Sequence, residues 1–86
     1  VQLWDCNNGD NQKWQANGST LRTLGKCLDV DAFGTANGTK VQLWDCNGGT
    51  NQDWSVQSDG TIRNRGTCLD SAGTANGSQL IIAQCD

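Results

Sequence analysis

Few side chains in this sequence can do chemistry, and their types narrow what that chemistry is. Every acidic residue is an Asp, and there is no His and no Glu. Acid–base catalysis would rest on Asp alone. A pair of Asp carboxyls can serve glycoside hydrolysis, but each Asp here stands in polar, turn-like sequence that would not tune it as a general acid. Intrinsic catalysis is therefore not expected, and binding is the better reading. Along Val41-Gln-Leu-Trp44, strand alternation puts Gln42 and Trp44 on one face and Val41 and Leu43 on the opposite, core-facing one. An indole on the non-core face is a rigid apolar platform suited to the C–H face of a pyranose ring. Such a ring also needs partners for its hydroxyls. Asp29 can accept from two vicinal hydroxyls, Asn51 offers a donor and an acceptor, and Gln42 lies nearby on the strand face. Taken singly, Asp29 and Asn51 read equally well as turn-formers bonding local backbone. Trp44 is the discriminating residue, because packing alone does not call for an indole on that face. Trp14 and Trp54, each in an Asn-Gln-x-Trp motif, are expected in the core.

The elements that must position these residues recur at an offset of about forty. Val1-Gln-Leu-Trp-Asp-Cys6 returns as Val41 to Cys46, and Asn11-Gln-Lys-Trp14 as Asn51-Gln-Asp-Trp54. Cys27-Leu-Asp29 returns as Cys68-Leu-Asp70, and Gly34-Thr-Ala-Asn-Gly-Thr39 as Gly73-Thr-Ala-Asn-Gly-Ser78. A period of this length indicates a repeat architecture. Residues 1–20 read as the end of one repeat, 21–61 as a complete one and 62–86 as the start of a further one, all in a single domain. Strands are expected at Val1–Cys6, Cys27–Val30, Val41–Cys46 and Leu80–Cys85. Hairpins are expected at Gln15–Leu21, around the turn pair Asn17-Gly18, and at Ser55–Ile62, around Asp59-Gly60 and one residue longer. No segment carries a helical period, so the fold class is all-β. The period and the Trp-Asp pairs at 4–5 and 44–45 also suit a WD-type propeller, but that fold needs about four blades and usually a Gly-His pair in each.

At 86 residues there is room for one small domain with a modest core. A net charge of −3 with six scattered basic residues gives no footprint for nucleic acid or an anionic membrane. The most apolar run, Leu80-Ile-Ile-Ala83, is too short to span a bilayer. None of the five cysteines forms a C-x-x-C pair, so no structural zinc and no other metal or cofactor is expected. A small, polar, cysteine-dense chain reads as a disulfide-stapled extracellular, secreted domain. Cys27 and Cys46 lie at the two ends of one repeat, as do Cys68 and Cys85 in the next. Cys6 matches Cys46 and Cys85 and is left without a partner in the chain. Three sequons, at Asn17, Asn37 and Asn76, sit at turn tips, where turn geometry rather than glycosylation explains them.

The ordered set C-L-D, N-G-T, V-Q-L-W-D-C and N-Q-x-W resembles the ricin-type β-trefoil lectins, and most closely the bacterial carbohydrate-binding modules appended to secreted polysaccharide-degrading enzymes. The resemblance covers the whole chain. It implies three repeats around a pseudo-threefold axis, about two of which are present here. It also implies that Asp29, Gln42, Trp44 and Asn51 contact sugar and that Gln52 steadies Asp29 from behind. Loop Val30–Gly34 is expected to decide which sugar fits. A partial second site keeps Gln2, Trp4, Asn11 and Gln12 without an Asp. In the last repeat Asp70 is kept, but Ile81 and Ala83 replace the Gln and Trp, so that repeat reads as structural. The implied function is carbohydrate binding, mono-, oligo- or polysaccharide, as a non-catalytic module of a glycoside hydrolase or similar enzyme. The alternative is a non-binding structural or interaction fragment with a vestigial pocket. With a third of the trefoil lacking, Leu3, Leu43 and Ile82 should be exposed and drive association. The remainder of the same polypeptide, or neighbouring copies, would then complete the barrel.

Overall fold

The computed structural model describes residues 1–85. Eight strands form two four-stranded antiparallel meanders. One joins β1 (Gln15–Asn17), β2 (Thr20–Thr23), β3 (Lys26–Val30) and β4 (Val41–Trp44) in that order. The other joins β5 (Ser55–Val56), β6 (Ile62–Asn64), β7 (Thr67–Ser71) and β8 (Leu80–Gln84). Single 3-10 turns, which no periodicity announced, lie at Asp10–Gln12, Asp31–Phe33 and Thr50–Gln52.

Tight turns set each meander. Between β2 and β3 the two-residue loop is Leu24-Gly25, with φ of 53° and 73°, and between β6 and β7 it is Arg65-Gly66, with φ of 48° and 85°. Both central residues are left-handed, the type I′ pattern whose twist matches that of the flanking strands. The expected Asn17-Gly18 pair is not such a turn. Asn17 is the last residue of β1, paired with Thr20, and the loop is Gly18-Ser19, in which Gly18 takes φ 61°. Glycine with positive φ at the first central position is the type II′ arrangement, which leaves Asn17 free to stay in the ladder. In the longer hairpin, the Thr61 hydroxyl and backbone N–H both donate to Asp59 Oδ1. The hydroxyl bond first, then the backbone one, hold the Asp59 carboxyl below its ordinary pKa.

The core is Leu28 and Val30 of β3, Val41 of β4, Trp54 and Ile82 of β8. Trp54 is fixed by its indole N–H, which donates to the Leu28 carbonyl at 2.9 Å. Trp14, expected to match it, is instead 40% exposed. It lies on an open groove whose walls include Leu28 and Leu69 of the two Cys-Leu-Asp strands. The expected strand Val1–Cys6 is likewise reduced to an isolated bridge, Gln2 to Gln79. Its copy Val41–Trp44 is a strand because β3 pairs with it at four positions.

The turns at Asn37-Gly38 and Asn76-Gly77 each grip another repeat. The Gly38 N–H donates to the Ile82 carbonyl at 2.8 Å, the Ile82 N–H returns a bond to Thr39, and Asn37 Oδ1 accepts from the Gln84 N–H. In the same way the Gly77 N–H donates to Leu3 at 2.7 Å, the Leu3 N–H donates to Ser78, and Asn76 Oδ1 accepts from the Asp5 N–H. Asn37 and Asn76 thus have a structural use at the turn tips. Ile82 is fully buried rather than exposed as expected, in the core with Leu28, Val30, Val41 and Trp54, while Leu43 is half-buried and Leu3 stays exposed. Disulfides Cys27–Cys46 and Cys68–Cys85 join the outer strand pairs of the two sheets, and Cys6 is free and exposed.

Candidate functional site

The β3–β4 register pairs Asp29 with Gln42 and Cys27 with Trp44, so the carboxylate, the amide and the indole stand on one face. Asp29 sits in the strand expected over Cys27–Val30, but it is buried, at 3% exposure, rather than in the polar surroundings its sequence suggested. A buried carboxylate is costly unless hydrogen-bonded. Gln42 Nε2 donates to Oδ1 at 3.2 Å and Gln52 Nε2 to Oδ2 at 2.8 Å. Gln52 is itself fully buried. Its Nε2 also reaches the Asp45 carbonyl at 2.9 Å, and its Oε1 accepts from the Asn47 N–H at 3.0 Å. The 3-10 turn Thr50–Gln52 thereby holds the carboxylate from behind.

Asn51, on the same turn, donates Nδ2 to the Val30 carbonyl at 3.0 Å. That partner lies 21 residues away, so Asn51 is no local turn-former. Its Oδ1 is buried without a hydrogen-bond partner. Buried acceptors left unpaired are rare, and each asks for an explanation. The carbonyl oxygen approaches Gly49 closely enough that a Cβ there would lie 2.6 Å from it. Trp44, by contrast, is 56% exposed.

Asp29, Gln42, Trp44 and Asn51 line one cavity of about 310 Å³, at the small end of ligand-binding volumes. Asp31, Ala32, Phe33 and Asn47 complete its polar and apolar walls. No cationic side chain lines it, and among the described residues no cluster of His, Cys, Asp or Glu could hold a metal ion. Asn47 was not singled out in the sequence, whereas Asp31, Ala32 and Phe33 fall in the loop Val30–Gly34 expected to decide which sugar fits, though none was named as a wall residue. A signal existed: between Val30 and Gly34 stand three residues, where Ser71 and Gly73 enclose one. That two-residue insertion carries Phe33.

The other repeats differ. Around Gln12 the turn is built as around Gln52: the Asn7 N–H donates to Oε1 at 2.7 Å and Nε2 donates to the Asp5 carbonyl at 2.7 Å. No carboxylate joins it. Gln2, Trp4, Asn11 and Gln12 instead line a larger groove of about 580 Å³, with apolar walls that include Leu3, Trp14, Leu43 and Leu69. In the last repeat Asp70 is exposed, pairs with Ile81, and bonds the Ser71 N–H at 2.7 Å, which is a local turn contact.

A buried, doubly bonded carboxylate beneath an exposed indole, repeated in part along an all-β chain, is the pattern that comparison with known proteins addresses. The sequence matches the family described as Ricin-type beta-trefoil lectin domain over residues 1–86. No curated protein matches the chain. With that match spanning the full length and two antiparallel four-stranded sheets beneath it, the chain belongs to the ricin-type β-trefoil lectin family, whose domains bind carbohydrate.

Proposed function

We propose that the cavity between β3, β4 and the turn Thr50–Gln52 binds one ring of a neutral saccharide. Trp44 stacks on the ring's C–H face, Asp29 and Asn51 bond its hydroxyls, and Gln42 contributes from the strand, while Gln52 supports Asp29 without touching the ligand. The observation that carries this reading is the buried, unpaired Oδ1 of Asn51 beside an exposed indole in one small cavity. A sugar hydroxyl would supply the missing donor. The two Asp carboxyls on its wall and the lack of any cation there favour neutral over anionic sugars.

A single stacking ring and a few solvent-competed hydrogen bonds correspond to a Kd of order 0.1–1 mM, or about 4–5.5 kcal/mol. Binding that weak suits a module that holds a secreted glycoside hydrolase or similar enzyme on polysaccharide through several pockets at once. Two disulfides are compatible with that extracellular setting. The repeats at 1–20, 21–61 and 62–86 then contribute unequally, with the working pocket in the middle one. The apolar groove beside Val1–Trp4 is the place for a further Cys-Leu-Asp strand. We assign that strand to the remainder of the same polypeptide rather than to a neighbouring copy, with its cysteine bonded to Cys6 as Cys27 is to Cys46.

Isothermal titration with galacto-, xylo-, manno- and cello-oligosaccharides tests the pocket. Trp44→Ala is expected to abolish binding in a protein that keeps its fold. Undiminished binding by the folded variant would remove the pocket from consideration.

A further inference from the structure

Phe33 lines the pocket without an assigned role so far, and it lies where a backbone bearing a side chain is strained. φ is 52° at Ala32 and 58° at Phe33, outside any type I′ hairpin, whereas the 48° at Arg65 belongs to its type I′ turn. Bulky residues rarely enter this region, and such outliers concentrate at functional sites. The inserted residues put the chain's one Phe, 55% exposed, on the wall of the cavity that Trp44 also lines. The absence of a side chain at Gly49 makes room for the ring, because a Cβ there would stand 3.3 Å from Phe33 Cζ.

Arg65 comes from the type I′ turn of the next repeat. Its Nη1 and Nη2 donate to the carbonyls of Phe33 and Gly34 at 3.0 and 2.8 Å, and its Nε donates to Asn64 Oδ1 at 2.8 Å. Asn64 is 1% exposed, and its Nδ2 donates to the carbonyls of Thr50 and Asp53. Thr50 opens the turn that carries Asn51 and Gln52. One run of hydrogen bonds therefore ties the inserted loop, through a neighbouring repeat, to the turn behind Asp29.

We propose that Phe33 is a second apolar contact that makes this site select a neutral disaccharide or longer chain over a single sugar, and that Arg65 is its positioning residue. This rests on the sugar-binding reading of the pocket given above. With one ring stacked on Trp44, Phe33 is an exposed aromatic on a separate element of the same cavity, available to the C–H face of the adjoining sugar. The fixed fork of a guanidinium serves two neighbouring carbonyls at once, which an ammonium does less well.

The test uses the full chain with its one Phe ring 13C-labelled, titrated with the mono- and disaccharides of galactose, xylose, mannose and glucose. Nuclear Overhauser contacts are expected from the Phe33 ring to C–H protons of a bound disaccharide. Phe33→Ala should narrow the preference for the disaccharide over its monosaccharide by about 3–10-fold, and Phe33→Tyr should retain it. Arg65→Ala should narrow it similarly, Arg65→Lys should recover part, and Phe33→Ala with Arg65→Ala should lose no more than Phe33→Ala alone. A bound disaccharide with no contact to the Phe33 ring, in a protein whose preference survives Phe33→Ala, overturns the proposal and leaves the Trp44 pocket standing. Additive losses would strip Arg65 of its positioning role. If no sugar in the panel binds, or if binding survives Trp44→Ala, the underlying reading falls as well.

Discussion

Asp29 and Gln52 are buried together, at 3% and 0% exposure, and each satisfies the other's hydrogen-bonding needs. Gln52 also ties down the Asp45 carbonyl and the Asn47 N–H, so one side chain closes the loop 45–52 onto the carboxylate. Gln52→Ala would leave Oδ2 of Asp29 buried without a partner and open a cavity. It is expected to cost about 2–3 kcal/mol in urea denaturation, and to weaken sugar binding although Gln52 touches no ligand. Trp44→Ala, at an exposed position, should change stability by no more than about 0.5 kcal/mol. Trp54→Ala belongs with the first class, because it empties core volume and frees the Leu28 carbonyl. A loss of about 3–5 kcal/mol would leave so small a domain unfolded. Comparing the three denaturation curves separates support, contact and core. A Gln52→Ala protein as stable as the parent would show that Asp29 is held by Gln42 alone.

The elements are short, and their turns do much of the specifying. The type I′ loops at Leu24-Gly25 and Arg65-Gly66 twist β2 onto β3 and β6 onto β7, and the turns at Asn37-Gly38 and Asn76-Gly77 bind one repeat to another. Cys27–Cys46 staples β3 to the loop after β4 across a sequence separation of 19. Replacing both with Ser is expected to cost about 3 kcal/mol in the chain-entropy model. Binding should fall with it, since Asp29 and Gln42 sit on the two strands that the bridge joins. Removing Cys68 and Cys85, separated by 17, should cost about as much yet leave the affinity of the folded fraction unchanged. Titration below the unfolding transition distinguishes the two. Equal loss of affinity in both variants would mean that the pocket depends on global stability rather than on its own sheet.

For the whole molecule, the radius of gyration of 12.1 Å is that of a compact chain of this length, about 12 Å. Compactness does not close the surface. The groove of about 580 Å³ is walled by apolar side chains, with Leu3 37% and Trp14 40% exposed, and exposed Cys6 lies on the same groove. Apolar patches of this kind promote association. The isolated 86-residue chain with Cys6 reduced is expected to sediment as species heavier than 9.2 kDa, and Leu3→Glu should shift it toward monomer by charging the groove's edge. A stable monomer for the parent chain would show that two four-stranded sheets suffice, and would withdraw the added strand proposed for the groove.

The all-β class, the repeat and the matching of Cys27 with Cys46 and of Cys68 with Cys85 were legible in the sequence, because the repeat copies whole motifs in order. The face shared by Gln42 and Trp44 was legible for the same kind of local reason, since alternation along a strand has a period of two. Burial was not. Asp29 read as a strand residue in polar surroundings, Ile82 as an exposed strand residue and Trp14 as core, and tertiary packing reversed the burial expected of each. Ile82 packs into the core with Val30 and Val41 of the preceding repeat, and the buried Gln52 of its own repeat closes over Asp29. Nothing comparable reaches Trp14. The insertion that carries Phe33 was visible as a difference in length, but its place on the cavity wall depends on Arg65, 32 residues away. Local pattern determines which way a side chain faces along its own strand. Only tertiary packing, within a repeat and between repeats, decides whether that face meets water, core or ligand.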